Sequence, residues 1–407
     1  MTAARDLVVT NARLRGRDGL WSIAITNGKV SAIDRDVRDT RQSIDAGGGL
    51  VTESFVDCHL HLCKVYTLDR VGEGALTQYT ARDMGGAMTA IELASAIKDS
   101  YEERWIYEGA RRAILEGLRH GVTHVLAFAD TDSKARLEAV KALLRLRDDM
   151  DGVVDIKVVA FPQDGLLRDE GAERHVREAV GMGADVVGGI PWVELTDADA
   201  REHVRRMVAL AADHGSDVAM LVDDAGDASL RTTEMLATES LRLETRAIAC
   251  HARAMSLYAE PYFRRLLQLI AKAGLSFVAD PHTGPLHLRV FDLHDAGVPV
   301  ALGQDDICDA YYPYGRHNML EVAFLASHIL EALDERSLDV LYDMVTTRAA
   351  DVFGLDEHRL SPGRAANLVV LHADTVRAAF TTHAAPRYVI RSGRVVAENE
   401  DVSTLRL

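Results

Sequence analysis

Residues 185–222 read DVVGGIPWVELTDADAREHVRRMVALAADHGSDVAMLV. The apolar run at 185–190 is strand-like, and a second strand-like run follows at 217–222. Between them, Asp197–His214 carries its apolar residues at the spacing of an amphipathic helix. A strand, a helix and a second strand in this order are typical of a parallel β-α-β unit. The segment therefore predicts an α/β protein.

The same alternation continues on both sides of this unit. Strand-like apolar runs occur at about 54–60, 123–128, 155–161, 185–190, 217–222, 246–250, 275–279 and 298–302. Helical stretches such as Pro261–Ala273 separate them. Eight such repeats predict a closed parallel (β/α)8 barrel of the TIM type. A doubly wound open sheet is the alternative, but no glycine-rich phosphate-binding turn follows the first strand.

Both ends of the chain look different from this middle. Short strand-like runs near the amino terminus include Leu7–Thr10 and Ser22–Ile25, and Asn27-Gly28 is a strong hairpin signal. Similar runs lie at 366–371 and 388–397. We therefore expect residues 1–54 plus 360–407 to form one small β-sandwich domain, and residues 55–359 to form the barrel.

Composition excludes several classes of protein. Of the 407 residues, 48% are hydrophobic and 27% are charged, which is typical of a folded globular chain. The formal net charge of −16 disfavours a nucleic-acid partner, because proteins bind the phosphates of nucleic acids through basic surface patches. Every apolar run is shorter than the ~18 residues of a membrane span, so no membrane partner is expected.

Cysteine usage and the amino terminus indicate the compartment. The chain has 4 cysteines, too few and too scattered for a disulfide framework. The first residues, Met1–Asp6, contain no apolar core typical of a secretion signal. We therefore expect a cytoplasmic protein.

The run FVDCHLHLC at 55–63 closes the first predicted barrel strand. Alternation along a strand puts His59 and His61 on one face, with Cys63 continuing the row. Two imidazoles at the mouth of a barrel can share one divalent metal ion. The plainer interpretation is that they are core filler, but their place at a strand's carboxyl end favours a metal site.

A second polar pair, Asp305-Asp306, closes the eighth predicted strand. Two adjacent carboxylates at a barrel mouth repel each other unless one meets a metal or is protonated. One of them could instead begin a helix as its N-cap residue, but that does not account for both. With His59 and His61 on the neighbouring first strand, this pattern favours Asp305 as a metal ligand.

These motifs resemble the amidohydrolase superfamily. His-x-His after the first strand, a histidine after the sixth, an aspartate after the eighth and the β unit from both termini all match its pattern. The chain is most similar to the cytosine deaminase branch, through AFPQDG at 160–165, GADVVGGIP at 183–191 and GQDDICDAYYP at 303–313. The similarity runs over nearly the whole chain.

The resemblance implies a role for each matching residue. His59, His61 and Asp305 would bind one divalent metal ion, zinc or iron, and Asp305 would also take a proton from the attacking water. His251 would face that water and the developing charge. Three further residues would contact the substrate ring: Gln163 would bind its polar edge, Asp306 would orient it and Tyr311 would stand over it.

Three residues depart from the family pattern, and one of them is Tyr311, which stands where the family has a tryptophan over the ring. Leu221 occupies the position of a histidine ligand on the fifth strand and cannot bind a metal. Asp224 occupies the position of the glutamate that shuttles protons, and its side chain is one methylene shorter. A carboxylate within ~3 Å can still act as acid or base, so a different substrate shape is expected rather than a lost role.

Four explanations of Leu221 remain open at this point. Cys63 or His251 could replace the missing ligand, or two histidines and one carboxylate could bind the metal with extra waters. The enzyme could also work without a metal, or the chain could have lost catalysis.

Three further residues at the predicted mouth are candidates for substrate binding: Lys64, His282 and Leu221, whose apolar side chain suggests a bulkier or less polar substrate. We expect a hydrolase or deaminase that acts, through a metal-activated water, on a carbon–nitrogen bond of a flat nitrogen heterocycle or cyclic amide. The alternatives are a metal-free lyase or isomerase and an inactive homologue that binds a heterocycle. The expected partner is a small molecule, and the helices offer surface for a homo-oligomer.

Overall fold

The structure is a computed structural model that describes residues 6–37, 40–79, 84–284, 286–400 and 404. The outermost residues of the predicted terminal domain, 1–5, 401–403 and 405–407, lie outside this range. The described residues form an eight-stranded parallel sheet, two four-stranded sheets and the helices that connect them.

The first sheet is formed by the amino-terminal strands. They are β1 Leu7–Leu14, β2 Arg17–Thr26, β3 Lys29–Asp34 and β4 Ser43–Asp45. Their order in the sheet is β3-β2-β1-β4. The predicted hairpin is confirmed, because Thr26 pairs with Lys29 across Asn27 and Gly28. Both turn residues have positive φ, 52° and 74°, which is the backbone of a type I′ turn.

A short strand, β5 Val51–Glu53, then leads into the barrel. The barrel strands lie side by side in chain order, each parallel to the next. They are β6 Phe55–Leu60, β7 Val122–Asp130, β8 Asp155–Phe161, β9 Val186–Gly189, β10 Asp217–Val222, β11 Ala247–His251, β12 Ser276–Ala279 and β13 Val300–Leu302. The predicted (β/α)8 barrel is confirmed, and the eight predicted strand positions agree with these bounds to within a few residues.

The carboxyl-terminal strands form the second small sheet. They are β14 Leu368–Val370, β15 Tyr388–Arg391 and β16 Arg394–Glu398, and β5 pairs with β14 at the sheet's edge. A small sheet unit built from both termini is therefore present beside the barrel. Its boundaries at 54 and 360 stay a prediction.

The helices cover the outside of the barrel or follow its strands. They are α1 Leu68–Val71, α2 Gly74–Tyr79, α3 Met84–Ser95, α4 Glu103–Arg119, α5 Glu138–Asp149, α6 Ala172–Gly181, α7 Asp197–His214, α8 Thr232–Leu243, α9 Glu260–Ala273, α10 Val290–Asp295, α11 Met319–Ile329, α12 Glu335–Asp343, α13 Thr347–Phe353 and α14 Val376–Thr382. The predicted helix 197–214 is confirmed, and the Thr196 side chain caps it by accepting a hydrogen bond from the Asp199 amide. Among the described helices, none has the length and apolar character to cross a bilayer.

Backbone hydrogen bonds past the ends of two strands bring the first and last barrel strands together. The Asp305 amide donates to the His59 carbonyl at 2.7 Å, and the His61 amide donates to the Asp305 carbonyl at 2.8 Å. The buried Asp57 side chain strengthens this junction, since its Oδ1 accepts from the amides of His59 and Gln304 at 3.1 Å each. The barrel seam therefore fixes the position of the His59–His61 segment relative to Asp305.

Candidate active site

A cavity opens at the carboxyl ends of the barrel strands. It is lined by His61, Ala87, Ile91, Gln163, Ile190, Trp192, Leu221, Asp224, His251, Asp305, Asp306 and Tyr311. Enzymes with this fold carry their active sites at the same end of the barrel. Seven of the sequence-predicted site residues and Leu221 therefore line one cavity.

His59, His61 and Asp305 form a compact triangle of potential metal-binding atoms. His59 Nε2 lies 3.4 Å from His61 Nε2 and 3.1 Å from Asp305 Oδ1, and His61 Nε2 lies 3.5 Å from that oxygen. A metal bonded at about 2.0–2.2 Å to nitrogen and oxygen ligands separates neighbouring ligand atoms by roughly this distance. The spacing of the three atoms fits a divalent cation.

The protonation of these side chains also fits a cation. Burial lowers the pKa of His59 to about 3, so its ring is neutral and has a lone pair to offer a metal. Burial raises the pKa of Asp305 to about 7, and burial together with the neighbouring Asp305 raises the pKa of Asp306 to about 8. Buried carboxyl groups at such close range require a positive charge to ionise together. A bound cation would supply it.

His251 lies at the end of β11, and the centre of its ring is 5.0 Å from that of His59. Its Nε2 is 3.9 Å from Asp305 Oδ2, and its Nδ1 is 3.2 Å from Asp280 Oδ2. Donor atoms of His59, His251, Asp280 and Asp305 all lie within 4.8 Å of one another. The backbone of His251 is left-handed, with φ of 65°, and such strain is concentrated at functional sites.

Asp223 and Asp224 have separate environments although they are adjacent. Asp223 caps α8, accepting hydrogen bonds from the amides of Thr232 and Thr233. Asp224 lines the cavity and accepts a hydrogen bond from Nε of the buried Arg253. Burial raises the pKa of Asp224, whereas Arg253 opposes that change.

Lys64, Gln163 and Tyr311 make the polar edge of the cavity. The buried Lys64 ammonium donates to Gln163 Oε1 and lies 5.2 Å from the centre of the Tyr311 ring. Burial lowers the pKa of Lys64, but Asp130 and Asp306 outweigh it and raise that pKa overall. Because the amide oxygen of Gln163 accepts from Lys64, its NH₂ group lies on the other side of the amide. The nitrogen of that group is 3.4 Å from the Tyr311 hydroxyl oxygen.

A second part of the cavity lining, the apolar wall, is formed by hydrophobic side chains. Leu221 contributes to it from β10, together with Ile91 and Ala87 from α3 and Ile190 and Trp192 after β9. Leu221 is 3% exposed and packs within the apolar cluster that fills the barrel. Leu221, which cannot bind a metal, therefore forms part of the wall of the cavity that His61 and Asp305 also line.

The two remaining candidates have different surroundings. His282 joins the site: its Nε2 lies 3.4 Å from both Asp305 Oδ2 and Asp306 Oδ2. The structure does not bring Cys63 into the histidine cluster. Its sulfur accepts a hydrogen bond from the Asp130 amide at 3.5 Å, and burial raises the pKa of the thiol. Of the two substitute ligands considered, His251 is the one near His59.

Sequence reasoning missed three features of the site. Arg253 follows His251 by two residues, and a charged residue so close to a strand end was the available signal. Asp280 was recognisable as a polar residue closing a strand, but nothing assigned it a role. The α3 wall had no signal, because Ile91 is far along the chain from the strand ends that it faces.

Comparison with known proteins places these observations in a family. A sequence model described as "Amidohydrolase family" matches residues 106–397. N-isopropylammelide isopropyl amidohydrolase of Pseudomonas sp. (strain ADP) is 28% identical over 97% of this chain and 98% of that protein. The pterin deaminase of Rhizobium rhizogenes (strain K84 / ATCC BAA-868) is 27% identical over 86% of this chain and 82% of that protein.

A solved crystal structure is also similar to this chain. The 5-methylcytosine deaminase of Klebsiella pneumoniae, liganded with 5-fluorocytosine, superposes with a TM-score of 0.90 at 28% identity. The match covers 98% of this chain and 99% of that one.

Proposed function

The chain belongs to the amidohydrolase family, and from that premise we propose that it hydrolyses a carbon–nitrogen bond of a flat nitrogen heterocycle bearing an apolar substituent. The observation that carries the proposal is one cavity with three parts: a triangle of metal-binding atoms, a polar edge and an apolar wall. The heterocycles named for the relatives, an ammelide, a pterin and cytosines, support this class of substrate.

His59, His61 and Asp305 would hold the metal, zinc or iron. A divalent cation there would lower the pKa of a water molecule and supply positive charge to the reacting carbon. These two histidines and one carboxylate make a facial set that binds a cation without a fifth-strand histidine. Leu221 therefore leaves metal binding intact in this proposal.

Asp305 and His251 act on the attacking water. Asp305, which the bound cation would keep ionised, takes one proton from that water as a general base. His251 accepts a hydrogen bond from the remaining O–H through Nε2, the nitrogen that faces Asp305 at 3.9 Å. Together they orient the oxygen for attack on an sp² carbon that bears nitrogen.

Asp224 delivers a proton to the departing nitrogen or to the ring. Nε of Arg253 donates to Asp224 Oδ1, and Nη2 of Arg253 donates to the backbone carbonyl of Asp224 at 3.0 Å. These two hydrogen bonds hold the carboxyl group of Asp224 in one orientation. The shorter aspartate then sets the distance between the ring and the apolar wall.

Gln163, Asp306 and Tyr311 bind and orient the ring. Lys64 fixes the Gln163 amide so that its NH₂ group donates to a ring nitrogen or carbonyl oxygen, and Asp306 accepts from a ring N–H. Tyr311 offers an aromatic face for stacking on a flat heterocycle. The ring's substituent then points to Leu221, Ile190, Trp192 and the α3 residues.

Paired substrates test this proposal. Purified zinc-loaded protein is offered unsubstituted aminopyrimidines and aminotriazines and their N-alkyl derivatives, and released ammonia or alkylamine is measured. We expect turnover that favours the alkylated member, incorporation of ¹⁸O from labelled water into the product, and none of either with His59→Ala. Product without ¹⁸O would contradict hydrolysis, and equal turnover of both members would contradict the role of the apolar wall.

A further inference from the structure

Asp280 is a buried carboxylate to which the proposed mechanism gives no part. It follows β12 and is 4% exposed. Neither of its carboxylate oxygens has a hydrogen-bond partner among the described residues. Burial and the neighbouring carboxyl groups, Asp305 first, raise the pKa of Asp280, so its ionised form needs a nearby N–H group to point at it.

The nearest candidate donor is the ring of His251. Its Nδ1 lies 3.2 Å from Asp280 Oδ2, and this nitrogen also has no hydrogen-bond partner among the described residues. Asp224 Oδ1 is the competing acceptor at 3.7 Å, but that oxygen already accepts from Arg253. Of the two carboxylates beside Nδ1, Asp280 is therefore the closer and the less engaged.

The backbone near Asp280 leaves room for this pair. A Cβ atom added at Gly303 would overlap Asp280 Oδ1 and would lie 2.6 Å from the Cβ of His59. Glycine at this position lets the carboxylate reach the inside of the barrel. The ring of His251 reaches the same space, since its Nδ1 lies 3.2 Å from Asp280 Oδ2.

A proton on Nδ1 determines what the other nitrogen does. A neutral imidazole carries one N–H, and the nitrogen without it presents a lone pair. A carboxylate that accepts from one ring nitrogen fixes the tautomer and the orientation of the ring. If Nδ1 donates to Asp280, then Nε2 faces Asp305 as an acceptor.

We propose that Asp280 is a positioning residue: it accepts a hydrogen bond from Nδ1–H of His251 and so keeps the Nε2 lone pair directed at the attacking water. The inference rests on the proposed function, in which His251 accepts from that water. Asp280 touches no reacting atom and acts through the ring alone.

The position of the ring proton tests the inference directly. Protein labelled with ¹⁵N-histidine is studied by NMR, loaded with zinc and free of metal, and His251 is assigned from the signals lost in His251→Asn. We expect the proton on Nδ1 in the unmodified chain. Asp280→Leu should move it to Nε2 or mix the two forms, whereas Asp280→Asn, which keeps an acceptor oxygen, should retain it.

Kinetics on a substrate from the paired screen give a second readout. We expect Asp280→Leu to lower kcat by about 10–100-fold with little change in KM, the size typical of losing a partner that orients a ligand or catalyst. The double variant with His251→Asn should be no slower than His251→Asn alone, because both changes remove one function. Additive losses would overturn the inference.

Other outcomes separate the inference from the proposed function. A proton on Nε2 in the unmodified chain, or an unchanged ring in Asp280→Leu, would overturn the role of Asp280. Zinc lost from Asp280→Leu alone would also overturn it and make Asp280 a ligand instead. An unmodified chain that binds no zinc would contradict the proposed metal site, while the metal-free spectra would still report the hydrogen bond.

Discussion

Leu221 faces the cavity from β10, beside His61, Asp224 and Asp305. A leucine at this position cannot act as a metal ligand, and it adds apolar surface to the cavity that Asp305 also lines. The same substitution therefore acts on two properties, the number of protein atoms around the cation and the shape of the substrate. The two effects are separable by mutation.

Leu221→His should strengthen metal binding. The new imidazole adds a nitrogen donor to the three-residue set, and we expect the dissociation constant for zinc to fall by at least about tenfold, as even indirect partners of a metal contribute that much. Competition with a chromogenic chelator measures it. Leu221→Met is the matched control, because it keeps the apolar volume without a nitrogen donor. An unchanged affinity in Leu221→His would mean that this position does not reach the metal.

At the scale of elements, an internal charged cluster ties α3 to two loops of the barrel mouth. Lys98 follows α3 in a 3₁₀ turn over Ala96–Ser100 and is 1% exposed. Its ammonium donates to Asp132 after β7 and, at 2.8 Å, to Asp164 after β8. Asp164 directly follows Gln163. The cluster therefore fixes the position of α3 relative to Gln163 at the polar edge of the cavity.

Lys98→Met should destabilise the fold. The buried Asp132 and the partly buried Asp164 would lose their cation, and breaking a buried pair costs about 3–5 kcal/mol. Urea unfolding measures the loss, and Lys272→Met, at an exposed lysine of α9 away from this cluster, should change stability by no more than about 0.5 kcal/mol. Adding Asp132→Asn to Lys98→Met should recover part of the loss. No recovery would show that the ion pair is not the cause.

Strands and helices of the barrel were predictable because their signals are local. The run 217–222 and the helix 197–214 have the apolar spacing of their final structure, and the structure reproduces both. The positions of His59, His61 and Asp305 at strand ends were sufficient to predict that they meet. The pairs Asp280–His251 and Arg253–Asp224 were not predictable, because side-chain direction at a strand end depends on backbone strain such as φ of 65° at His251.

At the scale of the whole molecule, buried histidines lie where the barrel meets the terminal sheets. His358 is 3% exposed, its Nε2 donates to the Ser54 carbonyl at 2.8 Å, and its ring contacts that of His124 with centroids 5.0 Å apart. Burial and, to a smaller extent, the nearby His124 lower the pKa of His358 to about 3. The folded state therefore holds this ring neutral.

Lowering the pH below about 6.5 should reduce the contribution of His358 to the free energy of unfolding. An unfolded histidine gains a proton below about pH 6.5, whereas folded His358 resists it until about pH 3. Its stabilising contribution is thus complete above about pH 6.5 and falls by up to about 1.4 kcal/mol per pH unit below that. The free energy of unfolding, compared between the unmodified chain and His358→Asn, should converge as the pH falls. A constant difference would contradict a neutral buried ring, and His214→Asn at an exposed helix end serves as the control.

Metal-dependent hydrolysis by this barrel requires that it bind a metal without a histidine at position 221. The most direct measurement is the metal content per chain by inductively coupled plasma mass spectrometry, on protein purified without chelator or nickel affinity. We expect about one zinc or iron per chain in the unmodified protein and in His214→Ala, and a large loss in His59→Ala. Metal-free protein that stays empty after incubation with zinc or ferrous iron would contradict the proposed metal-dependent hydrolysis.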